Sequence, residues 1–175
     1  MIMEFLQRVK TLLAIAFGKR TEVPCTWTPV PLMRRTTPSG GSRHPTEGYL
    51  LAYHIPGLAA GWYHVQADPC KLVMINKATQ EDNTILYSEQ PHCAGRIILT
   101  SNFKRTMYRY REPRAFRVPH MDAGHLLTTI EILASELNIP LTCHLNFNEQ
   151  HILHKIGASR FDEGVMAVIS IHHKE

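Results

Sequence analysis

No apolar run in this sequence approaches the roughly 20 residues that a helix needs to cross a bilayer, so a membrane-spanning protein is not expected. Internal repeats and low-complexity tracts are also missing, which excludes a repeat architecture or a linker-like chain. Cysteine is sparse. Cys25, Cys70, Cys93 and Cys143 lie far apart with no C-x-x-C pair, so they read as reduced thiols, most of them partly buried. Histidine is plentiful at 11 residues, but no H-E-x-x-H pattern accompanies it. The spacing His151-x-x-His154 and the pair His172-His173 have no carboxylate in ligand register, and no metal site is expected. The formal charge of +4 is mild. Basic residues are dispersed except at Lys104-Arg105 and over residues 109–117, and no nucleic-acid-binding module accompanies them. For most of these cations the reading is a solvated helix face, and nucleic acid is not an expected partner.

What is present is globular. Of the 175 residues 44% are hydrophobic and 19% charged, enough for one domain with a single substantial core. Residues 1–18 carry Ile2, Phe5, Leu6, Val9, Leu12, Leu13 and Ala16 at helical spacing. A short apolar stretch behind Arg8 and Lys10 resembles a signal peptide, but no small-x-small cleavage site follows. An amphipathic helix is therefore the expectation, in a cytoplasmic protein. Residues 19–37, with Pro24, Pro29 and Pro31, form an extended, irregular connection. Residues 38–175 form the core.

Within that core, residues 48–55, 61–65 and 71–75 are short apolar or aromatic runs separated by Pro56-Gly57 and Asp68-Pro69, and they read as an antiparallel meander. Residues 78–88 suit a short helix, residues 94–100 a buried strand, and Ser101 an N-cap for a helix through Tyr110. The strongest helix covers residues 122–137, with Leu126, Leu127, Ile130, Leu133, Ala134 and Leu137 on one face, and Asn138 and Pro140 stop it. Residues 141–147 and 164–171 read as strands, with a helix from Asn148 to the stop at Gly157 between them. The predicted class is α+β, with one mixed, mainly antiparallel sheet packed by helices.

Residues 35–45 concentrate chemistry. Gly40 and Gly41 let the backbone approach a flat or anionic ligand, Ser39 and Ser42 donate hydrogen bonds, and Arg35 and Arg43 neutralise a phosphate or pair with a polarised carbonyl. A surface turn with no ligand has the same composition. Among single residues, Tyr108, Tyr110 and Phe116 suit core or interface packing as well as chemistry. His125 reads as a capping or core histidine, and Trp27 and Trp62 read as packing anchors. Cys143 and His144 have no third partner for a nucleophilic dyad.

The run Arg35-Thr-Thr-Pro-Ser-Gly-Gly-Ser-Arg-His-Pro-Thr-Glu-Gly-Tyr49 resembles the R-x-x-P-S-x-G…P-x-E-x-Y signature of SagB-type dehydrogenases, the FMN-dependent azoline oxidases of the nitroreductase superfamily. Ile55-Pro-Gly-Leu58 with Gly61-Trp-Tyr-His64 is similar to the family's meander. Residues 108–117, followed by Asp122-Ala-Gly-His125, are similar to its K-Y-x-x-R-x-Y-R segment and x-x-G-H helix. The ordered set spans roughly residues 10–170. This resemblance implies a single nitroreductase-like domain in a homodimer, or in a heterodimer with a related oxidoreductase subunit. It implies FMN at the interface, bordered by Arg35, Pro38, Ser39, Gly40, Gly41, Ser42 and Arg43. Arg109 and Tyr110 stand at the positions of the family's catalytic Lys-Tyr pair.

Three departures qualify what the resemblance implies. The family's R-R-S-x-R segment, whose arginines hold the FMN phosphate, would precede residues 1–17, so a shortened N-terminus is implied. That leaves the phosphate to Arg34, Arg35, Arg43 or Lys174, or to a partner subunit. Arg109 replaces a lysine and is always protonated, so it orients or stabilises charge and is no general base. Residues 140–147 hold no glycine where the family has a glycine-rich stretch. The implied function is FMN-dependent oxidation of a peptide-derived heterocycle such as an azoline, or of a related small molecule, in modified-peptide biosynthesis. The alternative is a flavin-free scaffold subunit that partners a full-length oxidoreductase or binds a precursor peptide.

Overall fold

The computed structural model describes residues 2–26, 29–87 and 93–173; Trp27 and Lys174, singled out above, lie outside the described residues. The amphipathic start forms α1 (Ile2–Phe17), with Phe5, Val9, Leu12, Leu13, Ala16 and Phe17 all buried. The proline-rich connection is less irregular than its sequence predicts. Strands β1 (Thr21–Val23) and β2 (Leu32–Arg34) pair antiparallel as a small two-stranded sheet on either side of the prolines.

The main sheet is built from β3 (Thr46–Ala52), β4 (Gly61–Ala67), β5 (Cys70–Lys77), β6 (Gly95–Asn102), β7 (Leu141–His144) and β8 (Glu163–Ile171), in the order β5-β4-β3-β6-β8-β7. Every neighbouring pair is antiparallel, so among the described residues the sheet has no parallel pairing. The predicted β3-β4-β5 meander forms one end of it. The α+β class holds, with helices packed on both faces.

Alternation along the strands sorts the core into two layers. Leu50, Tyr63, Val65, Ile97, Leu99, Ala167 and Ile169 face α1 and the long α3 (Arg117–Glu136). Leu51, Trp62, Ile98 and Val168 face the opposite way, toward Ile152 of α4 (Glu149–Ile156) and Ile85 of a 3-10 turn at Gln80–Ile85. Trp62 is fully buried, as an anchor should be. The long helix starts five residues before the predicted residue 122, and Pro119 sits in its first turn, where no intrahelical N–H is needed. Arg8 of α1 donates to the carbonyls of Leu137 and Asn138 at 3.1 and 3.0 Å, satisfying the C-terminal end of α3. Asn148 caps α4 by accepting the His151 N–H at 3.1 Å, and Gly157, at φ 72°, ends it.

Several boundaries differ from the sequence expectation. Ser101 belongs to β6, and the cap position falls to Asn102 before a five-residue α2 (Phe103–Met107), with residues 108–110 in the turn beyond it. Strand β7 stops at His144, and only Phe147 beyond it makes a bridge, to Leu86. His125 lies exposed on α3 and is neither cap nor core. Tyr108 and Phe116 are exposed, the latter ring 5.4 Å from that of Phe103. Of the four thiols only Cys93 is buried, while Cys70 and Cys143 are exposed.

Candidate functional site

Residues 35–45 run from the end of β2 to the start of β3, beside the N-terminal half of α3. Their path is held by three side chains of the loop itself. The Ser42 hydroxyl donates to the Met33 carbonyl at 2.6 Å, and the His44 Nε2 donates to the same oxygen at 3.0 Å. A carbonyl can only accept, so the proton of His44 is on Nε2. The His44 N–H donates to Ser39 Oγ at 2.8 Å. These bonds stabilise left-handed backbone at two non-glycine residues, Ser42 (φ 56°) and His44 (φ 45°), which neither would adopt unaided.

Asp122 of α3 fastens the loop to the body of the protein. Its carboxylate accepts from the Ser39 hydroxyl at 2.6 Å and from the Gly40 N–H at 3.1 Å, and it is 6% exposed. The glycines serve the same docking. A Cβ on Gly40 would lie 2.3 Å from Val118 Cγ1, and one on Gly41 would lie 2.7 Å from the Tyr110 hydroxyl. At these two positions side chains of this chain approach the backbone closely.

Beneath the loop lies a row of charges that the sequence reading did not assign. Glu47, on β3, pairs with Arg105 of α2 and with His64 of β4, the latter at 2.9 Å. Arg105 also donates to the His44 carbonyl at 3.2 Å, and Arg35 donates to the Thr46 carbonyl at 3.2 Å. Burial opposes ionisation of Glu47, but the His64 bond and the Arg105 and Arg35 charges outweigh it and hold the carboxyl below its usual range. Burial, reinforced by Arg35, also lowers the pKa of His44, which favours its neutral form. The Nε atoms of Arg35 and Arg43 are buried without a partner.

The structure thus brings Arg35, Pro38, Ser39, Gly40, Gly41, Ser42, Arg43 and Tyr110 together at one end of α3. Arg109, by contrast, is exposed at the end of α2, with its N–H on the Thr106 carbonyl at 3.1 Å. The void beside Arg35, Pro38, Ser39 and Asp122 is only about 10 Å³. The His151 ring is engaged by the buried Asp82 at 2.8 Å, and among the described residues no group of His, Cys, Asp or Glu is placed to hold a metal ion. No helix among the described residues is long and apolar enough to cross a membrane. Glu47 had a legible signal, as the glutamate of the Pro-x-Glu-x-Tyr signature one residue before the predicted strand. Asp122 had none, since its partners are 82 and 83 residues away.

No protein-family model matches the chain. Over 151 residues, 82% of this chain, it is 32% identical to the trifolitoxin-processing protein TfxB of Rhizobium leguminosarum bv. trifolii, of which the match covers 40%. Among solved structures, a protein of Anabaena variabilis described as a nitroreductase superposes with a TM-score of 0.85 at 25% identity, over 96% of this chain and 35% of that one. A chain of the E. coli microcin synthetase McbBCD complex with truncated pro-MccB17 bound superposes with a TM-score of 0.79 at 17% identity, over 97% of this chain and 64% of that one. The chain spans less than two thirds of each of these proteins. With its sheet order and these matches, the chain has the nitroreductase fold and is similar to proteins of that superfamily and to a trifolitoxin-processing protein.

Proposed function

We propose that this chain is an FMN-dependent oxidoreductase subunit acting in the biosynthesis of a modified peptide, where it oxidises a peptide-derived heterocycle such as an azoline. The observation that carries this reading is the Asp122-clamped loop, found in a chain that resembles a trifolitoxin-processing protein over most of its length. Similarity to a chain of a microcin synthetase supports the same setting at the level of fold.

The residues present fit one side of a flavin site. Arg35 and Arg43 offer positive charge with unpartnered buried Nε atoms, suited to a phosphate or a flavin carbonyl. The Ser39 hydroxyl and Gly40 N–H are spent on Asp122, so the loop contributes shape more than donors. The 10 Å³ void alone holds no ring system, so on this reading a second subunit supplies the facing wall. Bound there, FMN would accept the hydride equivalent and supply the redox chemistry. Tyr110, its hydroxyl against Gly41, is placed to hydrogen-bond a substrate at the loop. Arg109 stays protonated and orients negative charge without taking a proton.

The commitment of Ser39 and Gly40 to Asp122 also favours a second reading, a scaffold subunit whose partner binds the flavin alone. One experiment separates the two. The absorbance spectrum of the freshly purified protein, alone and with its partner, is recorded together with mass spectrometry of any released cofactor. Flavin bands that weaken in an Arg35→Ala, Arg43→Ala double variant support the oxidoreductase. A colourless protein that takes up no added FMN, alone or in the complex, sinks it. Flavin retained in full by that variant complex assigns the cofactor to the other chain.

A further inference from the structure

Strand β5 ends the main sheet, and among the described residues no strand pairs with its outer side. It is eight residues long, without proline, and Val73, Met74 and Ile75 are 37%, 44% and 41% exposed. A long apolar edge of this kind invites strand addition, and most proteins cover it or blunt it. Lysines stand near both ends, Lys71 and Lys77, and form no ion pair among the described residues. Beside the edge, between β5, β4 and α1, lies an open cleft of about 470 Å³, a size typical of ligand sites. Leu13, Leu58, Val65 and Leu72 give it an apolar floor, and Lys10 and Lys71 bring positive charge to it.

We propose that β5 and this cleft form a docking site for an extended acidic peptide. The peptide adds to the sheet as a further strand through its backbone, sets an apolar side chain into the cleft, and places carboxylates at Lys10 and Lys71. Strand addition of this type takes affinity from main-chain hydrogen bonds and selectivity from alternate side chains. A second copy is the poorer occupant. Antiparallel pairing of β5 with itself would bring Lys71 of each copy close to Lys77 of the other, and like charges across strands are destabilising. An acidic peptide turns the same lysines into attraction.

The site is independent of the flavin reading, and a protein devoid of FMN is expected to bind the peptide equally well. The probe is a short fluorescein-labelled peptide of alternating valine and threonine with a glutamate near each end, titrated by anisotropy at low ionic strength. Saturable binding is expected, weakened on the order of ten-fold in a Lys10→Glu, Lys71→Glu double variant, because two attractions become repulsions. Backbone N-methylation of the peptide should abolish binding, and bound peptide should protect the exposed thiol of Cys70, at the start of β5, from alkylation. Equal affinity for the charge-reversed variant or for the N-methylated peptide overturns the proposal. So does sedimentation showing a dimer of this chain that the peptide cannot enter.

Discussion

Asp122 ties the loop to α3 by hydrogen bonds, and its removal tests what that tie is worth. Asp122→Ala leaves the Ser39 hydroxyl and the Gly40 N–H without their shared acceptor in a nearly buried place. A loss of about 1–3 kcal/mol is expected in urea denaturation, the usual cost of orphaned buried donors. Asp122→Asn, which keeps one acceptor oxygen, should fall between. An unchanged midpoint in the alanine variant would mean that the loop is not fastened there. Gly40 makes a sharper case, since its backbone is not in the left-handed region and only space forbids a side chain. Gly40→Ala drives a methyl against Val118, and overpacking of this sort costs about 1–3 kcal/mol. Adding Val118→Ala should return part of that loss, so a double-mutant cycle ought to show a favourable coupling. Strictly additive losses would assign the glycine to something other than helix packing.

At the scale of elements, acid stability reports how loop, strand and helix are tied together. His44 and His144 are both held toward the neutral form, first by burial, with help from Arg35 and Arg96 respectively. Below the usual histidine value of about 6.5 the unfolded chain therefore binds protons that the folded one refuses, and stability falls as pH drops through that point. Glu47 and Asp82 act lower. Burial opposes their charge, but His64 and Arg105 at Glu47, and His151, the Thr79 N–H and Lys155 at Asp82, more than compensate and depress both carboxyls. Their contribution is intact above about pH 4.5 and is lost as pH falls through their lowered folded values. Urea midpoints against pH should show two descending limbs, and His44→Asn with His144→Gln should flatten the upper one. A full upper limb in that variant would contradict the assignment. These ties also mark the limit of what was legible. The stripes of α1 and α3, the meander and the stop at Gly157 follow from local spacing, whereas β1 and β2, three residues each with prolines between, carry too little pattern to be read. The loop was recognisable by composition, whereas the contacts of its glycines with Val118 and Tyr110 were not, because these become neighbours only through the fold.

For the molecule as a whole, the proposed cofactor site is limited by the small void beside the Pro-Ser-Gly-Gly loop. About 10 Å³ admits a water at most, far below the roughly 300 Å³ at which small-molecule sites begin. On the proposed reading, flavin affinity must therefore depend on the facing subunit, and assembly and cofactor binding are linked equilibria. Dilution of the flavin-loaded assembly should release FMN in step with dissociation into subunits, and added FMN should shift dissociation to lower protein concentration. Sedimentation velocity recorded at both protein and flavin absorbance reads the two together. The two boundaries should coincide for the assembly, and the subunit boundary should be colourless. Arg35→Ala, by removing positive charge from this chain's side of the site, should move flavin release to higher protein concentration while leaving the cofactor-free assembly unchanged. Flavin that stays with the single subunit on dilution would refute the shared site.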